Sequence, residues 1–513
     1  MLSSPKSAML TRILNLPFLV ILMGIGALAM YVPAIYALVD DDLHVARVFL
    51  YGGTLFLILT AMTGLASAAG TSTNLARSHL LALLGAFTIL PLMLAVPFYE
   101  GLRNTSFLNA YFEMVSSLTT TGATLFEPER LPDALHLWRA MVGWMGGFLV
   151  WVTAIAVLAP LNLGGFEVTS IDAGNNGGQF SQITNVANAS QRLARYAAFL
   201  FPVYAGLTLT LWIMLLLAGD ASLVAVSHAM STLATSGISP IGGLGTGQGS
   251  GILGEVIIFG FLFFAISRLL FSHDQQRGGL RNLRDDPEFR MGGFLVIVLP
   301  LFLFARHWLG AFDSDLESDL PAALRALWGA AFTVLSFLTT TGFESSDWGD
   351  ARGWSGLQSP GLILMGLSII GGGVATTAGG VKLMRVYALY KHGTREMERL
   401  LHPSSVGGAG TQARHIRRFG AQISWIFFML FTLSVAVVML ALSLTGLSFE
   451  NAMIFTISAL STTGPLAGVA AQDAMSYADL GSAAKMILAA TMVLGRLETL
   501  AIIALLNPAL WRS

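Results

Sequence analysis

Four short stretches of the chain place hydroxyl side chains and a glycine at one fixed spacing: Ser116–Gly122 (SSLTTTG), Ser231–Gly237 (STLATSG), Ser336–Gly342 (SFLTTTG) and Ser458–Gly464 (SALSTTG). Serine, leucine, threonine and glycine recur at the first, third, fifth and seventh places of all four. These residue types carry no acid, base or thiol for covalent chemistry; what they offer is oxygen donors. Glycine tolerates φ > 0, so the chain can turn there and aim successive carbonyls one way. Rings of such carbonyls, supplemented by threonine hydroxyls, can replace the hydration shell of a cation. The candidate ion ligands are Thr120, Thr121 and Gly122; Thr235, Ser236 and Gly237; Thr340, Thr341 and Gly342; and Thr462, Thr463 and Gly464. One copy would say little, because small polar residues before glycine are common at helix ends. Four copies make an internal repeat.

The elements that must position these loops are membrane helices. The 513 residues are 54% hydrophobic and 11% charged, with no cysteine, against about 25% charged in a soluble domain. This composition excludes a cytosolic enzyme, a disordered chain, a disulfide scaffold and thiol catalysis. Ten apolar stretches are expected to span the membrane, near 13–39, 48–69, 79–98, 140–162, 196–218, 251–271, 291–309, 358–390, 420–446 and 483–511. The first is longer than the apolar core of a signal peptide and reads as a retained helix. Shorter helical patterns near 107–119, 222–234, 323–338 and 449–460 lead into the four loops and are too short to cross.

Each unit thus runs span, short helix, loop, span. Two crossings are an even number, so all units enter from one side and are parallel, whereas inverted repeats need an odd number. Irregular backbone at membrane depth must be buried or line a wet cavity, and four loops around one axis meet that condition together. The expected fold is an all-α polytopic membrane protein. It has two N-terminal helices (1–78) and four parallel repeats (79–192, 193–290, 291–419 and 420–513) around a pseudo-fourfold pore.

A second group lies away from the loops. Gly371, Gly372, Gly373, Gly379 and Gly380 sit inside the apolar stretch 358–390. Each glycine costs a helix about 1 kcal/mol relative to alanine, so the cluster either opens the helix at mid-membrane or serves close packing as in GxxxG pairs. Lys382 at its end is either a charge at the pathway or a lysine snorkelling to the surface. Arg496 falls near the middle of the last apolar stretch and must face protein or water. Glu498, two positions on, lies on another helix face.

Lysine and arginine concentrate between Arg268 and Arg290 and between Lys382 and Arg418, in loops expected on the cytoplasmic side with the N-terminus. Most acids fall on the other side, among them Glu127, Glu129, Asp313, Asp315, Glu317, Asp319, Glu344, Asp347 and Asp350. A surplus of acids around a pore mouth raises the local cation concentration. The net charge of −1 gives no nucleic-acid signal. The nine histidines are scattered, and there is no HExxH or G-x-S-x-G, which leaves little for a polytopic membrane enzyme. The Gly245–Gly251 run follows no strand and reads as a loop rather than a nucleotide site.

Three further motifs carry a resemblance: Trp144-Met145-Gly146-Gly147, the Gly371–Lys382 run GGGVATTAGGVK, and Leu494-Gly495-Arg496-Leu497-Glu498. With the four Thr-Gly loops they resemble the TrkH/KtrB/HKT superfamily of potassium transporters over about 79–511, and the extra N-terminal helix pair resembles its TrkH branch. The resemblance implies potassium uptake through a bacterial cytoplasmic (inner) membrane. K⁺ as the transported ion would bind at the loop residues named above, with no resident cofactor. It implies that the segment containing Gly371, Gly372, Gly373, Gly379, Gly380 and Lys382 blocks the pore beneath the loops and moves on opening. Arg496 would set a barrier to cations beside it. It implies a homodimer in membrane lipid and a partner, a cytosolic ring of nucleotide-binding, TrkA-like regulatory subunits. Ala234 and Ser236 in loop two, and Gly464-Pro465-Leu466 in loop four, depart from the pattern. They leave less selective Na⁺/K⁺ translocation as the alternative, and coupling to H⁺ or Na⁺ open.

Overall fold

The computed structural model describes residues 16–67, 75–159, 165–166, 189–244, 249–267, 284–310, 320–356, 361–402, 420–471 and 475–497. Every regular element among them is a helix. Eight helices are long and apolar enough to cross a membrane: Phe18–Val39, Leu43–Ser67, Leu81–Leu102, Asp133–Leu158, Arg192–Ala218, Pro287–Arg306, Pro321–Leu338 and Gly420–Ser443.

The described helices differ from the ten expected spans at four places. Gly251–Ala265 is an apolar helix too short to count. The stretch expected at 358–390 is interrupted: one helix ends at Ile370 and the next starts at Leu383. The last stretch is described only from Ser482 to Leu497. Pro321–Leu338, expected as a short helix, has the length of a span, because the helix starts at Leu320 and runs 19 residues. Glu498, Asp313, Asp315, Glu317 and Asp319 lie outside the described residues.

Burial is distributed as a lipid solvent requires. Large apolar side chains stand outward on the long helices, with Leu65 80% and Leu217 83% exposed. The interior holds a large apolar core and, within it, many buried serines and threonines, including those of all four Thr-Gly loops. Apolar belt outside and hydroxyl-lined centre inside is the arrangement a bilayer permits around irregular backbone.

Local sequence starts the short helices. Ser106 accepts the Asn109 N–H (3.3 Å) and Ser448 the Asn451 N–H (3.3 Å), capping Phe107–Leu118 and Phe449–Leu460. Small residues then bring a second helix against the far ends. A Cβ on Gly146 would strike the Leu118 carbonyl, and one on Gly495 the Leu460 carbonyl. Both leucines hold the third place of their heptapeptide. The Gly146-Gly147 and Gly495 motifs therefore exist so that the following helix can touch the end of the short one.

Candidate functional site

Each heptapeptide is a helix C-cap. In all four, the sixth residue's N–H donates to the first residue's carbonyl: Thr121 to Ser116 (2.8 Å), Ser236 to Ser231 (2.9 Å), Thr341 to Ser336 (2.9 Å) and Thr463 to Ser458 (2.9 Å). The fifth residue's N–H donates to the second's carbonyl: Thr120 to Ser117 (2.9 Å), Thr235 to Thr232 (3.2 Å), Thr340 to Phe337 (3.2 Å) and Thr462 to Ala459 (3.3 Å). These paired bonds are the Schellman motif, whose left-handed position is usually glycine. Here it is the recurring threonine, with φ of 55°, 51°, 57° and 55° at Thr120, Thr235, Thr340 and Thr462. A β-branched residue in that region is a strained outlier, and such strain clusters at functional sites.

Hydroxyls brace the turns. Thr119 and Thr121 bond through their side chains (2.8 Å), as do Thr339 and Thr341 (3.1 Å) and Ser461 and Thr463 (3.2 Å). Loop two has Ala234 at the bracing position, and Ser236 bonds instead to Ser231 (3.0 Å). That departure thus keeps the turn by another bond. The Thr120 and Thr462 hydroxyls are buried without a hydrogen-bond partner.

The loops meet end to end. A Cβ on Gly122 would strike the Ser236 carbonyl, one on Gly237 the Thr341 carbonyl, one on Gly342 the Pro465 ring, and one on Gly464 the backbone of Gly122 and Ala123. Gly122, Gly237 and Gly342 have φ of 73°, 65° and 83°. Gly464 has no positive φ, and its N–H donates to the Thr121 carbonyl (2.6 Å). The four glycines share the wall of a cavity of about 750 Å³ with Glu127, Arg139, Glu344 and Arg352. Asp347, expected with these acids, is not among its lining residues.

On the opposite side of the loops lies the irregular segment Gly371–Lys382. Gly379 N–H donates to the Thr340 hydroxyl (2.7 Å), and the Thr377 hydroxyl to the Leu233 carbonyl (3.0 Å). Arg496 donates to the Thr377 carbonyl (2.8 Å), and the Lys382 ammonium donates to the Ala378 carbonyl. Lys382 is buried, so it does not snorkel. Arg385, read as part of a cytoplasmic basic cluster, is also buried, with its guanidinium 3.7 Å from the Phe427 ring centroid. Arg496 and Lys382 line a cavity of about 30 Å³ with Ala375, Thr376, Ala378, Gly379 and Gly380. Gly371, Gly372 and Gly373 form the other end of the segment, packed against Gly379, Ala378 and Ile266.

Three buried carboxylates that the sequence reading passed over hold these parts together. Glu113 pairs with Arg139 (2.7 Å) and accepts the Leu125 N–H (3.1 Å) beyond loop one. Glu255 accepts the Ser345 hydroxyl (2.6 Å), the Ser346 N–H and hydroxyl (2.7 Å each) and the Trp328 indole (2.9 Å), fixing the exit of loop three. Glu288 accepts the Val374 N–H (2.7 Å). Glu113 and Glu255 were findable: each is a lone acid inside an apolar helix, which is exceptional in a membrane.

A polytopic helical protein with four hydroxyl–glycine loops gathered at one cavity, and its charges held in bonds behind them, is built for transport rather than covalent chemistry. The sequence profile of the TrkH family, described as a cation transport protein, matches residues 290–512. The chain is 32% identical over 430 residues to the Trk system potassium uptake protein TrkH of Salmonella typhimurium, covering 83% of this chain and 84% of that one. It is 31% identical over 430 residues to the protein of the same name from Escherichia coli K12 (83% and 84%). The crystal structure of the potassium transporter TrkH from Vibrio parahaemolyticus shares its fold, with a TM-score of 0.80 and 27% identity over 98% of this chain and 100% of that one. The chain belongs to the TrkH cation transport family.

Proposed function

We propose that this protein carries K⁺ into a bacterial cell across the cytoplasmic membrane, with the four Thr-Gly loops as its selectivity filter. The observation that carries the reading is the meeting of the four loops between a wide cavity and the Gly371–Lys382 segment. Carbonyls and hydroxyls of residues 120–122, 235–237, 340–342 and 462–464 would replace the ion's hydration shell. The Gly-rich segment would be the gate and Arg496 a barrier beside it. The four loop-bearing units would be parallel repeats around one pore, with the N-terminus cytoplasmic. The names of the relatives, components of a Trk system, support a partner from such a system, which would be a cytosolic nucleotide-binding regulatory ring; the chain itself would work as a homodimer.

The test is ⁸⁶Rb⁺ uptake into proteoliposomes holding the purified chain, with K⁺ and Na⁺ as competitors. Competition by K⁺ well above that by Na⁺ is expected. No flux, with or without a regulatory subunit, sinks the reading. Equal competition favours the second reading, a less selective Na⁺/K⁺ pathway. One observation speaks for that second reading: Gly464 lacks the left-handed φ of the other three glycines and occupies the Thr121 carbonyl.

The acids at the wide cavity make a pH prediction. Burial holds the Glu344 carboxyl above the usual carboxylate range, with Arg352 opposing. As pH falls, Glu344 therefore takes its proton at milder acidity than an ordinary glutamate, and the mouth loses negative charge. Uptake at low K⁺ and low ionic strength is expected to fall about two- to threefold through that step. Glu344→Gln should show the lower rate at neutral pH and lose the step. A wild-type pH profile in the variant would remove Glu344 from ion focusing.

A further inference from the structure

The Gly371–Lys382 segment is held from two sides, and only one side touches the loops. Its later half bonds upward, through Thr377 and Gly379, and to the two cations. Its earlier half is held by elements away from the ion pathway. Gly373 N–H donates to the Ala265 carbonyl (3.0 Å), and Val374 N–H to a Glu288 carboxylate oxygen (2.7 Å). The second carboxylate oxygen of Glu288 lies 3.4 Å from where a Cβ on Gly373 would stand.

The sequence around Glu288 is built to fix its backbone at the start of a helix. Asp286-Pro287-Glu288 opens the helix Pro287–Gly310. Asp286 accepts the Glu288 N–H (3.2 Å), Pro287 supplies a preset φ, and the Ser267 hydroxyl donates to the other oxygen of Asp286. Ser267 follows the end of the Gly251–Ala265 helical stretch, so one short network joins two helices to the segment. A helix N-terminus favours negative charge, and a carboxylate bonded to a backbone N–H makes one of the stronger hydrogen bonds available. Glu288 itself is 2% exposed.

We propose that Glu288 is a positioning residue that latches the Gly-rich segment, through Val374, in its observed conformation, the pathway-blocking one on the gate reading. The inference rests on the gate reading above, but it concerns where the segment sits. Movement of the segment away from the loops requires that the Val374 N–H leave the carboxylate or that both move together. The first is favoured by geometry, because Asp286 and Pro287 anchor the glutamate's backbone at the start of its helix, which limits how far its carboxylate can follow. The latch thus stabilises the closed arrangement and contributes nothing to ion discrimination.

The chain has no cysteine, so a single reporter thiol reads the segment directly. Thr376→Cys places one at the wall of the small cavity under the loops. With a membrane-impermeant maleimide supplied from the small-cavity side of proteoliposomes, Glu288→Ala is expected to raise the labelling rate of that thiol about tenfold, the scale of one charge-assisted hydrogen bond lost from one of two states. Glu288→Gln retains a carbonyl acceptor and should fall between alanine and the parent. ⁸⁶Rb⁺ flux should rise in the same order, with the Rb⁺/Na⁺ ratio unchanged. Faster labelling with unchanged flux supports the latch and removes the gate reading. Unchanged labelling in both variants overturns the latch, whatever the flux does. A changed ion ratio without faster labelling also overturns it, by placing Glu288's effect on the loops. Should the alanine variant not fold, the glutamine variant decides by the same labelling criterion.

Discussion

Gly122→Ser is expected to abolish most K⁺ over Na⁺ discrimination, lowering the competition ratio in ⁸⁶Rb⁺ uptake at least tenfold. Two effects add. The residue sits at φ +73°, where an L side chain costs about 1–2 kcal/mol. Its Cβ would also enter the Ser236 carbonyl, a backbone atom of the neighbouring loop that cannot swing aside as a side chain does. The two loops must separate, and carbonyls that separate no longer fit one ion size. Gly342→Ser should act in the same direction through the Pro465 ring at 3.0 Å, more mildly, because a ring edge can shift. Gly464→Ser lacks the φ penalty but meets the backbone of Gly122 and Ala123, so its damage is steric alone. Gly260→Ala is the control: nothing lies within 4 Å of its Cβ. Wild-type selectivity in both Gly122→Ser and Gly342→Ser would remove the filter assignment.

Arg139→Met is expected to destabilise the protein by about 3–5 kcal/mol, because it leaves the Glu113 carboxylate without its ion partner at a site that is 0% exposed. Glu113 also fixes the Leu125 N–H, so the wall of the wide cavity loosens together with the fold. The double change Glu113→Leu with Arg139→Met removes both charges. It should recover most of the lost stability, since a buried pair replaced by apolar side chains is often neutral. It should not recover the Leu125 bond. Thermal unfolding of the detergent-solubilised protein measures the first part, and low-K⁺ uptake the second. A double variant no more stable than Arg139→Met would mean that the pair is not what the single change disturbs.

These two predictions divide what the amino-acid sequence makes legible from what it hides. The heptapeptides and the glycine interruption can be read directly, because identity at fixed places and glycine inside an apolar stretch are local facts. The turn is legible in part: glycine takes positive φ in three of the four loops, as expected, but the recurring threonine two places before it is left-handed in all four, and in loop four the glycine is not. Only the hydrogen-bond pattern of the finished cap reveals this. Helix length is less legible than helix position: Gly251–Ala265, expected to span, is short among the described residues, and Pro321–Leu338, expected to lead into a loop and be short, has the length of a span. The charged ties were half legible. A lone glutamate among apolar residues announces that it is bonded, but its partner stands on another helix: Glu255 meets Ser345 and Ser346, some ninety positions away. Nothing in a linear sequence records that distance closing. The same holds for Lys382 and Arg385, which composition groups with exposed basic neighbours and packing buries.

The left-handed threonines also bear on the order of assembly. Each holds a backbone shape it would not choose alone, at a cost of about 1–2 kcal/mol. What restrains it comes partly from its own helix end and partly from the adjoining loops and the helix that Gly146 or Gly495 admits. A nascent chain with only its first loop inserted has Gly122 but not yet the Ser236, Gly237 or Gly464 that close around it. The loops are therefore expected to take their final form last, after the whole polypeptide has entered the bilayer. If the loops are the filter proposed above, a partly synthesised chain would until that moment have a scaffold and no pathway, and the membrane would stay sealed while the protein is being made.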